Sequence, residues 1–220
     1  MGRLIVLDGL DGSGKSTQYE RLACWLEQQG KAYRKVSFPD YQSAASAPVR
    51  MYLAGDFGTE ATAVNAFAAS SFYAVDRYAS FRTQWQKDYE AGTTILAARY
   101  TTSNAIHQMS KLPPDQRDDY LQWLEEYEYD RLQLPRPDMV IFLDVDPQVS
   151  QRLLSERYGG DEDKKDIHER DVRYLLQCRE GALYAARRCG WTVIDCTENG
   201  QMRSVEEIHL QIRSLVASLF

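Results

Sequence analysis

A glycine-rich segment near the start of the chain carries residue types that grip phosphate. Residues 9–16 read GLDGSGKS, which matches the pattern G-x-x-x-x-G-K-[ST] without a gap. Small glycines let backbone N–H groups turn inward around phosphate oxygens, and the lysine reaches the outer phosphates of a nucleoside triphosphate. A serine hydroxyl is a suitable ligand for Mg²⁺. The motif therefore predicts a nucleotide site, which we take as an ATP site, in which Lys15 is catalytic and Ser16 holds magnesium. The motif alone does not separate kinases from GTPases, ATPases or other proteins with the same loop.

The predicted ATP-binding residues form one continuous run between a strand and a helix. The apolar run from Leu4 to Leu7 predicts a strand buried on both faces, and a helical pattern begins at Lys15. The alternative is a glycine-rich turn without a ligand, but the motif in this context favours the nucleotide site. The predicted ATP-binding residues are Gly9, Leu10, Asp11, Gly12, Ser13, Gly14, Lys15, Ser16 and Thr17.

The elements that must position this loop alternate along the chain. Further buried strands are predicted over 33–38, 93–97, 139–145 and 191–196, with helical sequence between them. One long helix is predicted from about 61 to 90, with Val64, Phe67, Phe72 and Val75 on its apolar face, and a last helix over 205–219. This alternation predicts an α/β fold, a parallel five-stranded sheet between layers of helices, in a single domain spanning 1–220.

Composition excludes several classes of function. The 26 Lys and Arg residues against 32 Asp and Glu give a net charge of -6, which argues against a nucleic-acid-binding face. The apolar run at the start of the chain is too short for a membrane span. The four cysteines show neither CxxC pairing nor zinc-finger spacing. We expect a reducing cytoplasmic setting, no zinc site and no membrane partner.

A phosphoryl acceptor would need its own cations opposite the ATP loop. Arg99 directly follows a predicted strand, and Arg77 lies on the long predicted helix; both have aromatic neighbours. A solvated helix charge or a structural ion pair is the alternative for these arginines. Tyr73, one helical turn before Arg77, is by spacing alone as suited to a core as to stacking on a ligand.

An ordered set of segments resembles the thymidylate kinases. The set comprises LDGLDGSGKST at the front, the segment Tyr73 to Arg77, Ala98 to Tyr100, PRPD at 135–138, LDVDP at 143–147 and ERY at 156–158. The resemblance implies a three-layer P-loop kinase fold with a small lid at about 156–168. It further implies transfer of the γ-phosphoryl group of ATP to thymidylate (dTMP), Mg²⁺ as cofactor, and a homodimer.

The resemblance also assigns roles in the acceptor site. Tyr73 would stack on the thymine ring, Arg77 would contact the base, and Arg99 would bind the acceptor phosphate and act in catalysis. Tyr158 would lie against the deoxyribose. The acceptor-binding residues implied are Asp11, Tyr73, Arg77, Arg99, Ser103, Gln108 and Tyr158. Arg157 is the preferred catalytic cation of the lid, with Lys164, Lys165 and Arg170 as alternatives in a segment that could equally be a solvated charged loop.

Two departures from the family pattern keep other activities open. Ala98 stands where thymidylate kinases usually carry an aspartate, and Tyr41 and Ser43 stand where many carry arginine or glycines. Asp40 could serve as the base of a nucleoside kinase, although an aspartate after proline is common turn chemistry. The alternatives are therefore a deoxynucleoside kinase, a kinase for another nucleoside monophosphate, or a nucleotide-binding relative that has lost transfer.

Overall fold

The computed structural model describes residues 1–58, 60, 62–157 and 172–220, with side chains except at 154, 156, 157 and 172. The strands in this part of the chain are β1 (Leu4–Gly9), β2 (Tyr33–Ser37), β3 (Thr94–Ala98), β4 (Met139–Asp144), β5 (Thr192–Asp195), β6 (Thr197–Glu198) and β7 (Gln201–Met202). The α-helices are α1 (Lys15–Gln28), α2 (Ala47–Ala54), α3 (Ala66–Ser80), α4 (Gln86–Glu90), α5 (Thr102–His107), α6 (Arg117–Glu125), α7 (Pro147–Arg157), α8 (Val172–Cys189) and α9 (Val205–Ala217).

Among these strands, five form one parallel sheet in the order β2-β3-β1-β4-β5. The central strand β1 is buried along its whole length, which explains its uninterrupted apolar run. Because β1 and β3 are hydrogen-bonded neighbours and run in the same direction, the loops that follow them emerge side by side. The predicted five-stranded parallel α/β fold is confirmed. The short strands β6 and β7 form a separate antiparallel pair.

The two faces of the sheet support different helical layers. Ile5 and Leu7 belong to a buried cluster that includes Leu22 of α1 and Ile212 of α9. Side chains alternate along a strand, so the intervening residues face the other way, and Val6 lies in a second cluster that includes Trp85. Three layers result, with β1 in the middle.

Local signals explain where the main helices begin. α1 starts directly after Gly14, whose φ of 77° is left-handed and suits glycine. α3 starts directly after Asn65, whose side chain caps the helix by accepting a hydrogen bond from the N–H of Ala68. A reciprocal capping box joins Ser204 and Glu207 at the start of α9.

The long helix predicted over 61–90 is wrong in detail. Helix α3 begins later, at Ala66, and a π-helical segment over Phe81–Trp85 separates it from α4. Phe67 and Val75 are 40% and 48% exposed rather than buried. The buried face of α3 carries small and polar residues instead, so hydrophobicity alone misplaced the core-facing side. Helix α2, which is followed by a left-handed Gly55, was not predicted.

The remaining predicted boundaries are correct within about two residues. Each predicted strand is found, and the ends of β2 to β5 are shifted by at most one residue. The last helix, α9, ends at Ala217 rather than at 219. Within the described residues, no helix has the length and apolar character needed to cross a bilayer. The predicted lid at about 156–168 lies almost entirely outside the described residues.

Candidate active site

The loop between β1 and α1 is shaped as a cradle for phosphate. Gly12 and Gly14 both have φ of 77°, a left-handed conformation that residues with a Cβ rarely adopt. A Cβ on Gly9 would lie 2.6 Å from the Ser13 Oγ atom. The backbone can therefore curl tightly here, and the N-terminus of α1 adds the positive end of its dipole.

Lys15 lies at the edge of this cradle. Its Nζ atom donates a hydrogen bond to the carbonyl oxygen of Gly9 at 3.1 Å. Burial, reinforced by the nearby positive charge of Arg99, lowers the pKa of Lys15 to about 8. The ammonium is thus short of counter-charge, which is the environment that an incoming phosphate would complete.

Hydroxyl groups flank the lysine. Ser16 and Thr17 are exposed in the first turn of α1, while Ser13 Oγ is buried with no hydrogen-bond partner among the described residues. The exposed Ser16 oxygen is a hard donor of the type that Mg²⁺ prefers, and Mg²⁺ commonly completes its shell with substrate phosphates and water. The donor set therefore fits the predicted metal site. No group of three His, Cys, Asp or Glu side chains suited to a metal occurs in the described chain.

Arg99 is held where β3 ends, beside the cradle. Its Nη2 atom lies 2.6 Å from Asp11 Oδ1, and its Nη1 atom lies 3.7 Å from Asp8 Oδ1 and 3.1 Å from His107 Nε2. Its backbone has a φ of 63°, which is uncommon for a residue with a side chain. Three neighbours thus fix one guanidinium next to the ATP loop.

Asp8 connects the ATP loop to the start of α5. Its carboxylate is fully buried and accepts hydrogen bonds from the Gly9 N–H at 2.8 Å, Thr102 Oγ1 at 2.6 Å and Ser103 Oγ at 2.7 Å. These three hydrogen bonds occupy the carboxylate, so Asp8 acts by holding the ATP loop and the start of α5 together. The hydroxyl of Ser103, predicted to bind the acceptor, is oriented by Asp8.

A cavity of about 140 Å³ lies next to Arg99 and has the character of an acceptor pocket. The predicted acceptor residues within the described chain all line it: Asp11, Tyr73, Arg77, Arg99, Ser103 and Gln108. A second cavity of about 570 Å³ includes Lys15 and Ser16, and both cavities include Asp11 and Arg99. The structure therefore brings the predicted donor and acceptor sides together at these two residues.

Arg77 forms the floor of the acceptor pocket as half of a buried ion pair. Its guanidinium makes two hydrogen bonds to Glu128, and its Nη1 atom lies 3.3 Å from the carbonyl oxygen of Tyr100. Asn104 donates to the same Glu128 carboxylate at 3.0 Å. The structural ion pair considered from the sequence is present, and it coexists with a position in the pocket wall.

Tyr73 and Gln108 also line the acceptor pocket. Burial raises the pKa of Tyr73 well above the usual range, so its phenol stays neutral. Its ring packs edge-on against Tyr52 with centroids 6.4 Å apart. Gln108 is buried, and in the described structure its Oε1 atom has no hydrogen-bond partner. An unsatisfied acceptor beside a cavity is suited to receive an N–H group from a ligand.

A family model described as thymidylate kinase matches residues 7–212. The chain belongs to the thymidylate kinase family. Similar relatives include the thymidylate kinase of Mycobacterium tuberculosis, 32% identical over 195 residues that make up 86% of this chain and 87% of the relative. The thymidylate kinase of Schizosaccharomyces pombe is 29% identical, over 99% of this chain and 93% of the relative. The protein is therefore an ATP-dependent nucleotide kinase, as predicted.

A solved structure has the same fold. The thymidylate kinase of Candida albicans superposes with a TM-score of 0.71 at 20% identity, covering 99% of this chain and 92% of that one. The comparisons favour thymidylate kinase activity over the alternative activities that the sequence left open.

The departures from the thymidylate kinase pattern now have positions. Ala98 is the last residue of β3 and lines the cavity that contains Lys15 and Ser16. Asp40 lines neither of the two cavities. Its Oδ1 atom accepts from the Gln42 N–H at 3.2 Å and its Oδ2 atom from Gln84 Nε2 at 3.1 Å, so it serves the turn.

Some site residues lie beyond the described structure or were missed. Arg157 is the last residue of α7 and its side chain is outside the described part; Tyr158, Lys164, Lys165 and Arg170 are outside it altogether. Sequence reasoning did not assign the other residues that line the acceptor pocket, which are Phe38, Pro39, Tyr41, Leu53, Tyr100, Asn104 and His107. His107 lies four residues after Ser103 and Asn104 lies four residues before Gln108, and this helical spacing could have indicated both.

Proposed function

We propose that this chain transfers the γ-phosphoryl group of ATP to dTMP and releases ADP and dTDP. The observation that carries the proposal is the sharing of Asp11 and Arg99 between the cavity of the phosphate cradle and the acceptor pocket. A monophosphate held by Arg99 would place its oxygen toward a γ-phosphate held by Lys15. Positioning of this kind supplies much of the acceleration in phosphoryl transfer.

The acceptor needs no general base under this proposal. A nucleoside monophosphate attacks through an oxygen that is already ionised near neutral pH, so no proton must be removed. The absence of any need for a general base agrees with the structure around Asp40, whose carboxylate accepts hydrogen bonds from Gln42 and Gln84. A nucleoside acceptor would present a hydroxyl and would need such a base.

Charge at the reaction centre is balanced by this chain's own cations. Lys15 would contact the β- and γ-phosphates, and Arg99 would contact the acceptor phosphate while Asp11 keeps its guanidinium in place. Magnesium, when bound, neutralises charge on the β- and γ-phosphates, and Ser16 would be its protein ligand. Arg157 is proposed to add a further cation from the lid side.

Base recognition would use the buried wall of the pocket. Tyr73 offers an aromatic face for stacking, and Gln108 offers an unpaired Oε1 acceptor that suits the N–H of a thymine ring. Arg77 is neutralised by Glu128, so it suits a carbonyl of an uncharged base better than a phosphate. Tyr158 remains our proposed contact to the deoxyribose.

We extend the proposal to a single-domain kinase in a cytoplasmic setting that acts as a homodimer. The four cysteines, all described, are free thiols, which supports a reducing compartment. Helix α3 exposes Phe67, Val75 and Tyr78 along one face, and a second copy of this chain would cover them. A Val75→Glu variant should run as a monomer in size-exclusion chromatography with light scattering if this face pairs.

A coupled ADP-release assay tests the activity. dTMP, thymidine, dCMP, dGMP, dAMP and no acceptor are compared at equal ATP and Mg²⁺, with dTDP identified by chromatography. We expect dTMP to give the highest kcat/KM. A preference for thymidine, or ADP release that no acceptor changes, would contradict the proposal.

A further inference from the structure

His107 connects the acceptor-site arginine to helix α8. It is the last residue of α5, and its imidazole lines the acceptor pocket. One ring nitrogen, Nε2, lies 3.1 Å from Arg99 Nη1, and the other, Nδ1, lies 3.7 Å from Cys178 Sγ in α8. The ring is therefore held on both sides by groups from different elements.

The chemistry of the partners fixes the tautomer of this ring. A guanidinium has N–H donors and no acceptor, so Nε2 must accept from Arg99 and cannot carry a proton. The proton of the neutral imidazole then sits on Nδ1 and points to the Cys178 sulfur. Burial raises the pKa of Cys178 to about 11, so the sulfur remains a thiol.

The hydrogen bonds form a closed loop that leads from the His107 imidazole through Cys178 and Ser110 back to the His107 carbonyl oxygen. The Cys178 thiol donates to Ser110 Oγ at 3.4 Å, and Ser110 Oγ donates to the carbonyl oxygen of His107 at 2.7 Å. The Tyr174 hydroxyl donates to the same carbonyl at 3.1 Å. These contacts anchor His107 through its ring and its carbonyl oxygen, so the Nε2 lone pair is held in place for Arg99.

The two terminal nitrogens of Arg99 are thus fixed by partners of different charge. Asp11 holds Nη2 as an anion, whereas His107 accepts the hydrogen bond of Nη1 as a neutral group. The Asp8 carboxylate lies 3.7 Å from Nη1, beyond hydrogen-bond distance. A neutral partner orients the guanidinium without cancelling its charge, which leaves that charge available to an incoming phosphate. A further carboxylate in place of His107 would add to the negative charge of Asp8 and Asp11 and would repel the phosphate.

We propose that His107 is a positioning residue for the acceptor phosphate: its Nε2 atom orients the Arg99 guanidinium toward the 5′-phosphate of the acceptor. The proposal rests on the proposed function, because it assumes that Arg99 binds that phosphate. His107 acts through Arg99, so its effect should depend on whether the ligand carries a phosphate.

The test compares binding of dTMP and thymidine by calorimetry, because thymidine lacks the group that Arg99 would contact. His107→Phe keeps a planar ring without an acceptor, and we expect it to weaken dTMP binding about tenfold while thymidine binding changes less than about twofold. His107→Gln places an amide oxygen close to the Nε2 position and should restore most of the loss. His107→Asn can satisfy the Cys178 side but is too short for Arg99, so it should behave like His107→Phe.

The outcomes separate this proposal from the one on which it rests. Wild-type protein that shows no dTMP binding would contradict the proposed function. If wild type binds dTMP but the dTMP-to-thymidine preference of His107→Phe is unchanged, the role of His107 is overturned. Equal loss for both ligands, or equal loss in His107→Gln, indicates a structural role and also overturns it.

A second route avoids changing the histidine if its variants do not fold, as judged by thermal unfolding. Cys178→Ala removes the acceptor for Nδ1–H, so the ring is free to change tautomer, and Cys178→Ser retains an acceptor. We expect Cys178→Ala to reduce the dTMP-to-thymidine preference about threefold and Cys178→Ser to retain it. An unchanged preference in Cys178→Ala would overturn the proposal.

Discussion

Arg77 and Glu128 form a bidentate ion pair from which solvent is almost completely excluded. The Nε–Oε2 and Nη2–Oε1 distances are 2.6 and 2.5 Å, and the side chains are 1% and 0% exposed. The pair joins α3 to the π-helical segment over Glu126–Arg131, underneath the acceptor pocket. The pocket floor is therefore a rigid, internally neutralised surface rather than a free cation.

Removing the charge of one partner of this ion pair should lower the stability of the folded protein substantially. Glu128→Gln leaves Arg77 buried without its counter-charge, and we expect the free energy of unfolding to fall by about 3 to 5 kcal/mol. Urea denaturation followed by circular dichroism measures the change. Asp130→Asn, which breaks an exposed pair with Arg136, is the control and should cost less than about 1 kcal/mol. Similar costs for the two variants would contradict this view of the pocket floor.

Lys15 should matter for transfer far more than for folding. Lys15→Ala removes the cation that would stabilise charge on the transferring group, and we expect kcat to fall by about 10²-fold or more. Thermal unfolding without nucleotide should change little, because the Nζ atom makes a single described hydrogen bond to the Gly9 carbonyl. Steady-state ADP release measures the first effect, and a kcat close to that of wild type would remove Lys15 from the mechanism.

The lowered pKa of Lys15 predicts proton uptake when ATP binds. In the nucleotide-free protein the pKa is about 8, and the negative triphosphate should raise it. Binding should therefore take up about half a proton at pH 8 and almost none at pH 6.5, and ATP affinity should fall as pH rises above 8. Calorimetry in buffers of different ionisation enthalpy measures the uptake.

Lys15→Arg supplies the control for that measurement, because an arginine stays charged across this pH range. Subtracting the proton uptake of Lys15→Arg from that of wild type cancels the contribution of protons exchanged by ATP itself. Equal uptake in the two proteins at pH 8 would mean that Lys15 is already protonated in the empty site.

Restoring the family's aspartate at position 98 should speed transfer. Ala98 lines the cavity with Lys15 and Ser16, so a carboxylate there would face the cations and metal ligand. We expect Ala98→Asp to raise kcat for dTMP about tenfold, equivalent to about 1.4 kcal/mol of transition-state stabilisation. Ala98→Asn, which has the same shape without the charge, should give no such gain. If neither variant is faster, the site has been rebuilt around alanine rather than weakened by it.

Loss of the Ser16 hydroxyl should appear as a change in metal requirement. Ser16→Ala should raise the Mg²⁺ concentration for half-maximal activity by about tenfold or more, because one oxygen ligand is lost. Ser16→Thr keeps the hydroxyl and is the matched control. Magnesium titrations at saturating ATP and dTMP measure the effect, and overlapping curves for Ser16→Ala and wild type would exclude this ligand.

Much of the fold was predictable because its signals are local. The buried run of β1, the glycine pattern that follows it and the alternation of strands with helices are all consecutive in sequence. The ATP-binding loop was predictable for the same reason. Of the five residues that line both cavities, the two charged ones, Asp11 and Arg99, were also predicted, since Asp11 lies in the glycine-rich motif and Arg99 lies just past a strand.

The missed features depend on contacts between distant residues. The buried face of α3 is polar because Arg77 is paired with Glu128, 51 residues away, and no hydrophobic pattern on one helix shows such a partner. His107 was missed because its role depends on Cys178, 71 residues further along. The helix that was predicted as one piece is divided at the π-helical segment by packing of Phe81 and Trp85 into the core.

The sheet order has a consequence for how such a kinase could change its specificity. β1 and β3 are neighbouring strands joined by backbone hydrogen bonds, which no side-chain replacement alters. The spacing of these strands therefore sets the distance between the triphosphate, bound after β1, and Arg99, which follows β3. Mutations in α3, in α5 or in the loop after β2 can then reshape the part of the acceptor pocket that holds the base. The distance between the two bound phosphates is conserved. New nucleotide preferences can accumulate on this scaffold without dismantling the transfer geometry.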